Sequence, residues 1–196
     1  MSEYNSIAQD EPGMHKFNKE ELLDILDRII NFIHGCDNKA SVFLSIIGVA
    51  IAILFTSDGM DNLIAIVKLS ADSASCMDIV YLCALLIAVS ALLCGLFFLV
   101  LVLFARTNSS AYQQEGLNID SVIFFGTISK NENYSSYKEK LLSISDTDYE
   151  NDIASQIYIN GVICKKKYDC YKRGLVLVIA GLASFIIIWA LGNLIY

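Results

Sequence analysis

Three stretches of the chain, residues 40–57, 79–104 and 174–196, contain no Asp, Glu, Lys, Arg or His. A helix crosses a bilayer with ~20 apolar residues, so all three read as membrane spans. The first is near the short limit, which puts its polar entrance at headgroup depth, and the second is long enough to tilt. Ahead of the first span, Leu22, Leu23, Leu26, Ile29, Ile30 and Ile33 recur at helical spacing, with Glu20, Asp24, Asp27 and Asn31 left for water. This pattern predicts an amphipathic helix over 17–39. It starts at a capping box of Asn18 and Glu21 and runs on into the first span, with Gly35 as a candidate bend.

The remaining segments carry weaker patterns. Residues 1–16 read as a disordered polar tail, and 58–78 as a short acidic outer loop with room for a helical turn. Between the second and third spans, "SVIFFGTIS" (121–129) suits either a short strand or a tight turn at Gly126. The sequences "NYSSYKEKLLSI" and "DTDYENDIASQIYINGVICKKKYDCYKRG" follow as two helices, the second capped by Asp146 or Asp148 and leading into the third span. Each helix outside the membrane has one apolar stripe, and pairing the stripes buries both. The expected fold is an all-α integral membrane protein, with three transmembrane helices and a cytoplasmic helical stalk built from 17–39 and 105–173.

Composition supports that solvent assignment. The mean hydropathy is +0.53, and the single proline, Pro12, lies in the tail, so nothing interrupts long helices. Lys68 is the one basic residue between the first two spans, whereas a basic series runs from Arg106 to Arg173 between the second and third. By the positive-inside rule the N-terminus and the 105–173 region are cytoplasmic in a multi-pass membrane protein. A net charge of −7 argues against a nucleic-acid polymer as partner. The six cysteines show no CxxC spacing, which argues against a metal site or disulfide framework. With two histidines and no nucleophile-elbow, zincin or phosphate-loop motif, the chain reads as a non-enzyme without a cofactor.

The candidate chemistry gathers at the entrance to the first span, where Asp37, Lys39 and Ser41 meet the apolar run. On a helix His34, Asp37, Ser41, Ser45 and Gly48 fall along one stripe of small and polar residues. The stripe suits a packing seam against Ala84, Ala88, Ala91 and Gly95 of the second span and Ala180, Gly181 and Ser184 of the third. In that reading Asp37 closes the seam on Lys172, Arg173 or Arg106, and Lys39 reaches toward lipid phosphate. The alternative is that the same stripe forms a ligand or gating path.

The run "CDNKASVFLSIIG" resembles the D-x-K-A-S signature that opens the first span of the Pycsar effector transmembrane family. "SVIFFGTIS", "YSSYKEKL" and "QIYINGVICKKKYDCYKRG" resemble the rest of its pattern, in order, over roughly residues 20–195. The resemblance implies a homo-oligomeric antiphage effector that impairs the inner membrane in response to a cyclic mononucleotide. No separate domain for that ligand is evident. A pocket for it needs cations for the phosphate and a flat apolar wall for the base. Arg106, Lys130 and Lys138 are the candidate cations, and Phe124, Phe125, Tyr134 and Tyr137 the candidate walls. For the two phenylalanines the role of core residues anchoring the segment to the stalk is favoured over stacking on a base. The competing function is a small membrane channel or transporter subunit, against which stands the lack of ionisable groups in the spans.

Overall fold

The structure, a computed structural model, describes residues 17–73, 75–104 and 114–195. Six helices follow in chain order: α1 (Lys19–Leu54), α2 (Ser57–Ser73), α3 (Cys76–Leu103), α4 (Phe125–Ile128), α5 (Tyr134–Ser143) and α6 (Asp146–Ile195). There is no strand among the described residues. The tail 1–16 lies outside them.

Local signals account for most helix starts. Asn18 Oδ1 accepts the Glu21 N–H at 2.9 Å, and the Glu21 carboxylate accepts the Asn18 N–H at 2.9 Å, completing the expected capping box. Helix α1 then runs without interruption through Gly35 into the first span. Ser75 and Asp78 form a second capping box at the head of α3, where Asp78 also accepts the Ser73 hydroxyl. At α6 the cap is Ser145 rather than Asp146 or Asp148. Its Oγ accepts the Asp148 N–H at 3.1 Å and its hydroxyl donates to Asp148 Oδ2 at 2.7 Å. The acids inside the first turn then face the positive end of the helix dipole.

Residues 58–78 differ from the expected loop. They supply the 17-residue helix α2, because Leu63, Ile66 and Val67 form an apolar stripe that the scattered acids obscure. Ile66 and Ser70 are buried, and the Trp189 indole N–H of α6 donates to Asn62 Oδ1 at 3.1 Å.

The bundle core is a heptad-spaced seam. Helix α3 buries Ala88, Leu92, Gly95, Leu99 and Val102, and α6 buries Gly174, Val178, Gly181, Phe185 and Gly192. Steps of three and four residues keep one stripe facing its partner, as in a coiled coil. The close approach is made at glycines, since a Cβ on Gly181 would stand 2.5 Å from the Leu92 nitrogen. Helices α3 and α6 are antiparallel, while α1 lies parallel to α6 along its whole length. The Lys19 ammonium stands 4.7 Å above the Tyr149 ring, Phe43 meets Tyr171 at 6.2 Å, and Phe55 meets Phe185 at 5.6 Å.

The small-residue stripe of α1 departs from its expected place in the seam. His34, Ser41, Ser45 and Gly48 are exposed, and α1 instead buries Leu26, Cys36, Ala40 and Ile47. The apolar face has more surface to bury, and Ser45 needs no interhelical partner because its hydroxyl donates to the Ser41 carbonyl at 3.0 Å. Of the other expected seam residues, Ala88, Gly95 and Gly181 are buried, Ala84 and Ala91 are half-buried, and Ala180 and Ser184 are exposed.

Candidate functional site: the ion-pair mouth and the clasp on the stalk

Lys167 of α6 points into the junction of the three spanning helices, with only 5% of its side chain exposed. Its ammonium donates to Asp37 Oδ1 at 2.6 Å and to the Val102 carbonyl at 2.7 Å, so one cation joins α1, α3 and α6. Val102 lies in the last turn of α3, where carbonyls lack intrahelical donors and the helix dipole is negative. The ammonium therefore answers two negative groups at once. Cys36, Ala40 and Val102 form the buried apolar floor, with Tyr168, Cys170 and Tyr171 packed against it. Burial, and next the Asp37 charge, pushes the Cys36 thiol up, and burial pushes Cys164 up against the opposing pull of Lys167. Both cysteines are thus held as thiols, which makes them poor nucleophiles.

Asp37 takes the interhelical role expected of it, with a different partner. Lys172 and Arg173 are exposed on other faces of α6, and Arg106 lies outside the described residues. Lys167 stands seven residues before Gly174, on the face of α6 that the packing of the glycine seam against α3 turns inward. Lys39 and Ser41 are exposed beside the mouth.

A second polar cluster fastens the segment between the spans onto the stalk. Asp152 of α6 is fully buried, and its Oδ2 accepts the Ser121 hydroxyl at 3.0 Å and the Val122 N–H at 2.8 Å. Its other oxygen has no hydrogen-bond donor among the described residues. Ser121 Oγ in turn accepts the Ile123 and Phe124 N–H groups, and its carbonyl accepts the Thr127 hydroxyl at 2.5 Å. Ser155 Oγ accepts the Asn118 N–H at 3.0 Å, and the Tyr137 hydroxyl donates to the Val122 carbonyl at 3.0 Å. Neither form open to "SVIFFGTIS" is found: 121–124 form a bend held on Asp152, and Gly126 lies inside the one-turn helix α4 rather than at a tight turn. Sequence reasoning passed over Asp152, whose place beside Ile153 on the stalk-facing stripe was its one visible signal.

The described candidate ligand residues do not converge on one cavity. Phe124 and Phe125 stack at 4.8 Å, with Phe125 63% exposed, and Tyr137 spends its hydroxyl in the clasp. Lys130 and Tyr134 are exposed. Lys138 lines a shallow groove with Ser135, Glu139, Leu142 and Ser143 rather than with the phenylalanines.

The Asp152 clasp yields a direct expectation. Hydrogen bonds to a charged group contribute about 1.5–3 kcal/mol each, so Asp152→Ala should loosen the 117–131 segment strongly. Limited trypsin digestion at Lys130 should then run at least about tenfold faster than in the unchanged protein. Asp152→Asn, whose amide oxygen still accepts both bonds, should fall between. Equal digestion of all three proteins would show that the clasp holds nothing.

Comparison with known proteins places these features. The family described as the Pycsar effector protein domain matches residues 21–193. The chain belongs to the Pycsar effector family. It is 30% identical over 196 residues to the Pycsar effector protein GmPycTM of Gulbenkiania mobilis, covering 96% of each chain. No solved structure matches it. This Pycsar effector is therefore a membrane protein of antiphage defence, with three helices among the described residues long and apolar enough to span. The matched region of this Pycsar effector includes the Asp37–Lys167 mouth and the Asp152 clasp.

Proposed function

We propose that this Pycsar effector impairs the inner membrane as a homo-oligomer when a cyclic mononucleotide binds its stalk, and that it does so without catalysis. The observation supporting this most is the continuity of α1 and α6, single helices of 36 and 50 residues that carry stalk and span in one rod. A shift or rotation in the stalk reaches the membrane without crossing a hinge, and the Asp37–Lys167 pair sits where the rods enter the apolar region. The ligand supplies only its difference in affinity between the two stalk arrangements. Candidate contacts are the cations Arg106, Lys130 and Lys138 and the rings of Phe124, Phe125, Tyr134 and Tyr137.

The test is the membrane potential of cells expressing the chain, followed with a potential-sensitive dye while individual cyclic nucleotides are supplied. Depolarisation with a cyclic mononucleotide, and none without it, is the expected result. An unchanged potential with every cyclic nucleotide, at full membrane insertion, refutes the proposal.

The orientation has its own test. In a cysteine-free background, Ser73→Cys should react with an impermeant thiol reagent added outside, and Ser129→Cys should react only after the membrane is opened. The reverse pattern inverts the orientation and removes the stalk from the compartment in which the nucleotide is made.

A further inference from the structure

At the border of the third span, α3 and α6 enclose a groove of about 500 Å³ lined by Phe98, Asp169, Lys172, Arg173, Val176 and Leu177. Its two ends differ in chemistry. Phe98, Val176 and Leu177 belong to the spanning windows, and Val176 is 60% exposed, so this end meets acyl chains. Lys172 and Arg173 occupy the polar end, one turn toward the stalk.

Neighbouring cations already have partners. Lys167 is held by Asp37, and Lys165 by Asp169 at 3.1 Å. The last pair matters most, because Asp169 is the one carboxylate lining the groove and its charge is answered by Lys165. Lys172 and Arg173 are exposed and pair with no carboxylate among the described residues. Two uncompensated cations thus stand at the mouth of an apolar slot at the membrane border.

We infer that this groove binds an anionic phospholipid, its phosphate against Lys172 and Arg173 and the start of an acyl chain along Phe98, Val176 and Leu177. A guanidinium grips phosphate oxygens in bidentate fashion and an ammonium adds a point charge. Basic pockets between spanning helices on the cytoplasmic side have this selectivity for anionic headgroups. A choline headgroup brings its own cation toward the same two side chains and is disfavoured. The site also borders the glycine seam, since Arg173 adjoins Gly174, where a Cβ would stand 3.0 Å from the Leu99 backbone nitrogen. The assignment of the lipid to the inner leaflet rests on the proposed orientation, whereas the lipid class does not.

The test uses the purified full chain in detergent, with lipid retention read by native mass spectrometry. Dioleoyl phosphatidylglycerol, dioleoyl phosphatidylcholine and free glycerol 3-phosphate are the probes. At ~1 kcal/mol per basic residue near a membrane surface, Lys172→Gln/Arg173→Gln should weaken phosphatidylglycerol retention about 10- to 30-fold. Lys19→Gln/Arg28→Gln removes the same charge from the stalk and should leave retention unchanged. Arg173→Gln alone should weaken it about fivefold, which keeps the test usable if the double variant misfolds. Equal losses in the groove and stalk variants overturn the site, as does equal retention of phosphatidylcholine. Competition by glycerol 3-phosphate at matching concentration also overturns it, in favour of a site for free phosphate esters. None of these readouts involves a cyclic nucleotide, so failure here is separable from failure of the signalling proposal.

Discussion

Asp37→Ala is expected to be among the most damaging single changes in this protein, and more damaging than removal of its partner. It leaves the Lys167 ammonium, 5% exposed, with the Val102 carbonyl as its one remaining acceptor among the described residues. Breaking a fully buried pair costs about 3–5 kcal/mol, and because Asp37 is itself 30% exposed the expected loss is about 2–3 kcal/mol. Lys167→Met should cost less, because it removes the buried charge and leaves Asp37 to the water it already touches. The double variant should recover much of the Asp37→Ala loss, since an apolar side chain of similar length can occupy the slot. Thermal unfolding in detergent measures all three, with membrane depolarisation as the functional readout. If Asp37→Ala and Lys167→Met lose stability equally and additively, the mouth is not held by this pair.

Gly181→Leu should separate α3 from α6. A Cβ at Gly181 would lie 2.5 Å from the Leu92 nitrogen and 2.9 Å from the Leu92 Cα, and backbone atoms cannot swing aside as a flexible side chain does. The helices must part, and Leu92 and Val178 lose contacts in the core that they share with Ile47 and Leu99. Overpacking of a fitted core costs about 1–3 kcal/mol, and a clash against backbone belongs at or beyond the upper end. Gly48→Leu is the control, since a Cβ there meets nothing within 4 Å. The expected result is a sharply lowered unfolding temperature for Gly181→Leu and a nearly unchanged one for Gly48→Leu. Matching temperatures would mean that the crossing at Gly181 is looser than described.

These two expectations divide between what the chain announces and what it conceals. The spans, the Asn18–Glu21 cap and the passage of stalk helix into span depend on residues within a few positions of one another. Periodicity and capping are local physics, so the sequence by itself determines them. The involvement of Asp37 was legible for the same reason, because a carboxylate where an apolar run begins needs a partner. Its partner was not. In the run Lys165–Lys166–Lys167 each step turns the helix by about 100°, and only the rotation of α6 against α3 selects the lysine that faces inward. That rotation is set by Gly95, Gly174 and Gly181 finding close approach to the facing helix, a property of two surfaces together. The same competition between surfaces turned His34, Ser41, Ser45 and Gly48 outward and folded the acidic 58–78 stretch into α2. It also seated Ser121 and Val122 on Asp152, a contact spanning 31 and 30 residues that no local pattern encodes. The sequence determined the three spanning helices and the stalk helices that lead into the first and third of them. The tertiary structure decided which face of each helix is inside, because burial rewards the largest complementary area and not the most conspicuous polar stripe.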